Sequence, residues 1–283
     1  MTEKSLIAVW GSPNSGKTVT AVKLAQALAA RKQNVLLLCC DALCPSVSTI
    51  APQGAAKHSS LGELLSLPAL TQEELLRYAL PLDVSPQIAL LGYKKGDNVF
   101  SYPSYDRERA VDLLTLARHL ADVVLVDCAS YLSVDPISTV ALELADSVIR
   151  LHSCDLKSLM FFASYLPLLT DARFRRSTPI SVLSNVKPEQ DGREYSEVFG
   201  GIQVTLPHVA ALEQQAASAR LLDDCSGKEA AAYNTGIRQI IGLLLPQDLN
   251  HPSKPVPASS PTSSGKIADV LQRLWPKRRG EDK

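Results

Sequence analysis

The sequence predicts an α/β fold in which a mostly parallel, twisted sheet is covered by helices on both faces, giving three layers. Short apolar runs alternate with longer Ala/Leu-rich or amphipathic segments, which is typical of parallel βαβ units. The runs are continuously apolar because a parallel strand between two helical layers is buried on both faces. The chain has 283 residues, of which 46% are hydrophobic and 20% charged, so it can bury a sizeable core.

The predicted elements follow one another in the order expected for repeated strand–helix units. The predicted strands cover residues 5–10, 35–40, 88–91, 123–127, 147–151, 180–184 and 202–206. The predicted helices cover residues 18–30, 61–65, 72–78, 105–120, 156–169, 209–219 and 229–245. Because ligands bind at the carboxyl ends of parallel strands, the residues that follow these strands are the first candidates for a site.

The eight residues after the first strand have the pattern G-x-x-x-x-G-K-T of a phosphate-binding loop. They are Gly11, Ser12, Pro13, Asn14, Ser15, Gly16, Lys17 and Thr18. The backbone N–H groups of such a loop surround phosphate oxygens, and the N-terminus of the following helix adds favourable partial charge. We therefore predict that all eight residues bind a nucleoside triphosphate, with Lys17 on the β- and γ-phosphates and the Thr18 hydroxyl on Mg²⁺.

Asp127 ends the most hydrophobic predicted strand, Val123–Val126. Four apolar residues followed by an acid form the Walker-B pattern, in which the carboxylate holds Mg²⁺ directly or through water. The alternative is an ordinary solvated aspartate at a strand end, and the phosphate loop favours the metal role.

Asp41 follows the second predicted strand and gives the sequence a resemblance to the deviant-Walker ATPases of the MinD/ParA type, in the SIMIBI class of P-loop NTPases. In that family this strand ends in D-x-D, and the second aspartate lies near the γ-phosphate, Mg²⁺ and the attacking water. Here Cys39-Cys40-Asp41 keeps the second acid and replaces the first with Cys39. The resemblance implies catalytic roles for Asp41 and Lys17, and a metal role for Asp41 beside Thr18 and Asp127.

Later segments resemble the same family in the same order, so that the resemblance covers residues 4–246. Asn185 follows the strand at 180–184 and matches an asparagine that contacts adenine in many members. Pro207, in the segment Leu206-Pro207-His208, matches a segment beside the base. The resemblance implies that ATP or ADP and Mg²⁺ are bound, and that the chain is an ATP-dependent homodimer and part of a larger assembly.

The interior of the phosphate loop departs from the family. The family's loop reads K-G-G-x-G-K-T, and its first lysine reaches the phosphates of the dimer partner, whereas this sequence has Ser12, Pro13 and Asn14. Because a serine supplies no positive charge to a phosphoryl-transfer transition state, we expect ATP binding and dimerisation with slow hydrolysis. The pilus-localising TadZ/CpaE branch also has irregular loops, but its usual N-terminal receiver-like domain has no counterpart here.

The composition changes after Pro246 and divides the sequence into three parts. We predict an ATPase domain at 1–246, a flexible Pro/Ser-rich linker at 247–265 and a basic amphipathic tail at 266–283. The apolar stripe of the tail has helical spacing and consists of Ile267, Val270, Leu271, Leu274 and Trp275. The tail resembles the membrane-binding helix that ends many MinD-like proteins, and peripheral membrane contact follows from that resemblance. A protein partner and accidental periodicity are the alternatives.

Charge and cysteine content limit the function classes. Lys plus Arg and Asp plus Glu are both 29, so the net charge is zero and strong global attraction to nucleic acid is not expected. The six cysteines are typical of free thiols in a reducing cytoplasm, and zinc at Cys39-Cys40-x-x-x-Cys44 is the alternative. The charged start runs directly into a predicted strand, so we expect no signal peptide and a cytoplasmic protein.

The leading functional hypothesis is an ATP-dependent dimerisation switch that positions or helps to assemble a cellular machine, such as a secretion, pilus or conjugation complex. A DNA-partitioning ATPase of the ParA type and a pseudo-ATPase that keeps the fold without turnover are the alternatives. DNA binding would need a basic patch, and Arg173, Arg175 and Arg176 form the one dense basic cluster of the predicted domain. A metabolic enzyme of the same fold would need substrate-binding residues, for which the sequence gives no convincing set.

Overall fold

A computed structural model describes residues 4–54, 59–133 and 135–244, and its centre is an eight-stranded sheet. In chain order the strands are β1 (Ser5–Gly11), β2 (Val35–Cys39), β3 (Leu80–Leu82), β4 (Ser85–Gly92), β5 (Val123–Asp127), β6 (Ser147–Ser153), β7 (Ile180–Val186) and β8 (Val204–Pro207). Across the sheet their order is β3-β4-β2-β5-β1-β6-β7-β8, and only the β3–β4 pair is antiparallel among the described strands.

Helices cover both faces of the sheet. Within the described residues the α-helices are α1 (Lys17–Ala29), α2 (Val47–Ile50), α3 (Leu61–Leu65), α4 (Gln72–Tyr78), α5 (Arg107–Leu120), α6 (Pro136–Leu144), α7 (Leu156–Tyr165), α8 (Gly192–Phe199), α9 (Ala210–Ala217) and α10 (Lys228–Leu244). Two short 3₁₀ helices, Leu166–Thr170 and Ala172–Phe174, follow α7. The predicted three-layer α/β architecture is confirmed.

Two apolar cores lie on opposite faces of the sheet, and β1 contributes to both. Successive side chains of a strand point to opposite faces. Ile7 and Val9 therefore pack in the core formed with α1, α2, α9 and α10, whereas Leu6, Ala8 and Trp10 pack in the core formed with α3 to α7. The central strands β1, β2 and β5 are almost fully buried, which explains their continuously apolar sequences.

The register of the central strands brings the candidate site residues to one edge of the sheet. Asp127, the last residue of β5, pairs with Val9 of β1 and with Cys39 of β2. The phosphate loop that follows β1 and Asp41 that follows β2 therefore lie beside Asp127 at the carboxyl edge, as the sequence predicts.

Several elements differ from the predicted ones. The helix α6 was not predicted: six of its nine residues are buried, and the polar residues Ser138 and Glu143 are among them, so no solvent-facing polar stripe marks it. The helices α2 and α8 and the short antiparallel strand β3 were not predicted either. The predicted helix 156–169 is wrong at its end, because α7 stops at Tyr165 and a 3₁₀ helix with Pro167 in its first turn follows.

The predicted linker at 247–265 and the tail at 266–283, with its apolar stripe, lie outside the described residues. In the part of the chain that the structure describes, no helix has the length and apolar character needed to cross a membrane.

Candidate functional site

The phosphate loop is a tight turn between β1 and α1 that depends on two glycines. A Cβ at Gly11 would lie 2.2 Å from the backbone oxygen of Leu151 in β6, so only glycine fits there. Gly16, immediately before α1, has a φ of 79°, a left-handed conformation that glycine adopts without steric cost. The turn is closed by Ser15, whose hydroxyl donates a hydrogen bond of 2.8 Å to the backbone oxygen of Ser12.

Lys17 folds back over the loop. Its ammonium donates hydrogen bonds to the backbone oxygen of Ser12 over 3.3 Å and to the Ser130 hydroxyl over 2.5 Å. Burial lowers the pKa of Lys17, and the negative charges of Asp127 and Asp41 oppose this shift. The site thus holds one partly buried cation at the loop, flanked by two carboxylates.

Asp127 and Thr18 form a compact oxygen-rich pair. The Thr18 hydroxyl donates a 2.6 Å hydrogen bond to Asp127 Oδ2, while Asp127 Oδ1 is buried and has no hydrogen-bond partner. Burial raises the pKa of Asp127 to about 6, against the opposing effects of the Thr18 hydroxyl and Lys17. A buried, unpartnered carboxylate oxygen beside a hydroxyl fits Mg²⁺, which prefers oxygen ligands.

Asp41 shapes the loop after β2. Its Oδ1 accepts hydrogen bonds from the backbone N–H groups of Leu43 over 2.9 Å and Cys44 over 3.1 Å. Its charge also raises the pKa values of Lys17 and Asp127, which places it in the same electrostatic environment. Cys39, in the position of the missing first aspartate, is buried, and burial raises its pKa to about 12, so its thiol is neutral.

The side chain of Ser12 faces the interior of its own chain. It is 1% exposed, and its hydroxyl lies 2.9 Å from the Ser158 hydroxyl of α7 and 3.3 Å from that of Ser153. This position therefore neither carries a cation nor points outward. The sequence shows that serine replaces the signature lysine at this position. The structure adds that the side chain here is directed into its own chain and not outward.

A cavity of about 400 Å³ adjoins the loop on the side of β7 and α9. Asn14, Gly16, Asn185 and Pro207 all line it, so the predicted base contacts lie next to the predicted phosphate contacts. Asn185 has a φ of 58°, and its Oδ1 lies 2.8 Å from His208 Nδ1, which fixes the side chain at the cavity wall. The apolar part of the lining was not predicted from the sequence and consists of Val19, Val209, Leu212, Ala216 and Tyr233.

The alternatives left open by the sequence find little structural support. Cys39 and Cys40 are buried whereas Cys44 is exposed, and the described residues contain no metal-binding group of three or more His, Cys, Asp or Glu. In the basic cluster, Arg173 pairs with Glu143 at 3.3 Å and Arg176 with Asp146 at 3.6 Å. These ion pairs within the chain weigh against a basic patch for DNA.

Comparison with known proteins identifies the fold. No protein-family model and no curated protein matches the chain. The ParA-family ATPase of Chlorobium tepidum has a TM-score of 0.67 and 18% identity, over 86% of this chain and 100% of that chain. The cell-division ATPase MinD of Pyrococcus furiosus has a TM-score of 0.65 and 16% identity, with the same coverage. The chain has the fold of the MinD and ParA ATPases.

The MinD/ParA fold accounts for the whole predicted α/β architecture, and similar structures contain nucleotides. MinD of Pyrococcus horikoshii, in complex with Mg-ADP, has a TM-score of 0.66 and 15% identity, over 86% of this chain and 98% of that chain. Identities this low show a shared fold. The TadZ/CpaE branch stays a prediction.

Proposed function

We propose that this chain is a nucleotide switch of the MinD/ParA type, which binds ATP with Mg²⁺, dimerises around it and positions or helps to assemble a larger cellular machine. The observation that carries the proposal is the arrangement of Lys17, Thr18 and Asp127 around one glycine-bounded loop. A partly buried cation, a hydroxyl and an unpartnered carboxylate oxygen are the groups that a Mg²⁺–triphosphate requires.

Each part of the site has a defined role in this proposal. The backbone of residues 11–18 and the Lys17 ammonium hold the phosphates, and Thr18 and Asp127 hold Mg²⁺. Bound Mg²⁺ neutralises phosphate charge and makes the γ-phosphate more electrophilic. Asp41 orients the attacking water, and Asn185 and Pro207 contact the base in the adjoining cavity.

Slow turnover follows from the buried Ser12. A developing negative charge on the transferred phosphoryl group needs nearby cations, and Lys17 is the one cationic side chain whose hydrogen bonds tie it to the described loop. A pseudo-ATPase, which binds nucleotide without hydrolysing it, is the second candidate that this observation favours.

An apolar rim supports dimerisation or partner binding. Six exposed apolar side chains lie in segments that follow the carboxyl ends of strands: Leu43, Val99, Phe100, Tyr131, Leu156 and Met160. Exposed apolar groups around a site are typical of interaction surfaces. A complex of MinC with MinD from Aquifex aeolicus, at 15% identity and a TM-score of 0.64, has this fold in a protein assembly.

The dimerisation experiment compares molar mass in solution with Mg²⁺ and ATP, with ADP, and with ATP plus EDTA. We expect a dimer only with Mg²⁺ and ATP, and no dimer for Lys17→Ala. Lys95→Ala removes an exposed lysine of the loop after β4 and should behave like the unmodified chain. A molar mass that is independent of nucleotide would reject the switch.

The tail supplies the proposed link to a membrane surface. A short amphipathic basic segment binds a bilayer weakly, and a dimer that carries two of them gains avidity. Co-sedimentation with anionic vesicles in the presence of ATP should therefore require residues 247–283. Equal sedimentation of the full chain and a chain ending at Pro246 would remove the membrane contact from the proposal.

A further inference from the structure

The partners of the Lys17 ammonium account for two of its three hydrogen-bond donors. One donor goes to the backbone oxygen of Ser12 and a second to the hydroxyl of Ser130, three residues after Asp127. An ammonium that contacts both the β- and the γ-phosphate needs two donors for phosphate oxygens. If Lys17 keeps its hydrogen bond to Ser12, one donor is left for a phosphate oxygen. Lys17 can then bind a second phosphate oxygen only by breaking its hydrogen bond to the Ser130 hydroxyl.

Ser130 is held in place independently of Lys17. Its backbone oxygen accepts a hydrogen bond of 3.1 Å from the indole nitrogen of Trp10, a fully buried residue at the end of β1. The Trp10 ring in turn contacts Phe161 and Phe162 of α7, with ring centroids 5.3 and 5.6 Å away. The backbone of Ser130 is thus anchored to a buried aromatic cluster, and its hydroxyl lies within hydrogen-bond distance of the Lys17 ammonium.

We infer that Ser130 is a positioning residue that makes the loop sensitive to the γ-phosphate, because its hydroxyl competes with that phosphate for the Lys17 ammonium. A diphosphate needs one remaining donor of Lys17 and leaves the Ser130 bond intact. A triphosphate needs two and breaks it. The inference rests on the proposed nucleotide binding and adds a means of distinguishing ATP from ADP.

Removal of the competing hydroxyl should strengthen triphosphate binding selectively. A hydrogen bond to a charged group contributes enough to change an equilibrium about tenfold. We therefore expect Ser130→Ala to bind AMPPNP about tenfold more tightly, while its affinity for ADP changes less than about twofold. Ser130→Thr keeps the hydroxyl and should retain the original ratio of the two affinities.

Titration calorimetry of the full chain with Mg²⁺ and either AMPPNP or ADP measures both affinities. If Ser130 had a purely structural role, Ser130→Ala would weaken the binding of both nucleotides. A gain in AMPPNP affinity would therefore indicate competition for Lys17, and a loss would indicate a structural role. An unchanged or smaller preference for AMPPNP in Ser130→Ala would overturn the inference.

Trp10 gives a spectroscopic readout. The sequence contains two tryptophans, so Trp275→Phe leaves Trp10 as the single indole fluorophore. We expect AMPPNP to shift the Trp10 emission and ADP to leave it almost unchanged. In the Ser130→Ala background the difference between the two nucleotides should disappear, and its persistence would contradict the coupling through Ser130.

A double-mutant cycle tests the Lys17–Ser130 contact without nucleotide. We expect Ser130→Ala to lower the urea midpoint of the otherwise unmodified chain and to leave that of the Lys17→Met chain nearly unchanged. Additive effects would overturn the inference even if no nucleotide binds. If the two substitutions have non-additive effects on the urea midpoint but the chain binds no nucleotide, the proposed function would be rejected instead.

Discussion

The Thr18 hydroxyl donates a hydrogen bond of 2.6 Å to Asp127 Oδ2 and so joins the first turn of α1 to the end of β5. The bond occupies one carboxylate oxygen and leaves the other, Oδ1, buried without a partner. Only one of the two carboxylate oxygens therefore has a partner within the protein, and a cation bound at Oδ1 would give the second oxygen one.

Asp127→Asn should remove the Mg²⁺ dependence of nucleotide binding. The amide oxygen can still accept the Thr18 hydrogen bond, but the side chain loses the negative charge that attracts the metal. We expect ATP affinity in Mg²⁺ to fall at least about tenfold, while affinity in EDTA changes little. Calorimetry with and without EDTA measures both, and equal losses in the two buffers would contradict a metal role.

The stability of the protein should fall as the pH rises through the titration range of Asp127. Its pKa in the folded chain is about 6, above its ordinary value of about 3.9, so the folded state binds more protons in this window. Between pH 5 and 7.5 this carboxyl should therefore reduce the free energy of unfolding by about 1.5 kcal/mol.

Urea unfolding in EDTA, without nucleotide, isolates this contribution when the unmodified chain is compared with Asp127→Asn. The difference in the free energy of unfolding between the two proteins should change by about 1.5 kcal/mol from pH 5 to 7.5, in favour of the Asn variant at higher pH. A difference that does not vary with pH would mean that Asp127 keeps its ordinary pKa.

Asp41→Asn should separate binding from hydrolysis. Asparagine keeps the side-chain oxygen that accepts the Leu43 and Cys44 N–H groups, so the loop after β2 is retained. We expect ATP affinity within about threefold of the original value and a loss of phosphate release of about tenfold or more relative to the unmodified chain. Asp41→Ala, which loses the loop contacts as well, is the comparison. Unchanged phosphate release in both variants would exclude a catalytic role.

Ser12→Lys should fail to restore fast hydrolysis. The Ser12 side chain is enclosed by the hydroxyls of Ser153 and Ser158, so a lysine there would bury an unpaired charge or displace α7. We expect a loss of about 2 to 4 kcal/mol in the free energy of unfolding and no gain in phosphate release. Ser12→Ala, which removes only the two hydroxyl contacts, should cost about 1 kcal/mol. Faster hydrolysis by the lysine variant would show that this side chain can turn outward.

The sequence predicts best those parts of the fold that local patterns determine. The loop between β1 and α1 follows from a motif, and the central strands follow from their continuous burial. The helix α6 could not be recognised in this way, because its burial by neighbouring elements removes the polar face that marks a surface helix. The antiparallel strand β3 has only three residues, too few for a pattern.

The same distinction between local patterns and long-range contacts applies to the candidate site. Lys17, Thr18 and Asp127 are local signals, and register alone brings them together at the carboxyl edge. The inward orientation of Ser12 and the contact of Ser130 with Lys17 depend on side chains more than 100 positions apart in the sequence. No sequence motif marks such pairs, because their contact is made only in the folded chain.

The position of β5 between β1 and β2 also affects how the protein acquires its site during synthesis. Thr18 and its partner Asp127 are 109 positions apart, so a growing chain that has completed the phosphate loop still lacks half of the proposed metal site. Contacts between such distant segments form slowly, since a long loop must close first. A ribosome-bound fragment that ends before β5 should therefore hold no Mg²⁺–nucleotide, and under the proposed switch such nascent chains should not pair through nucleotide.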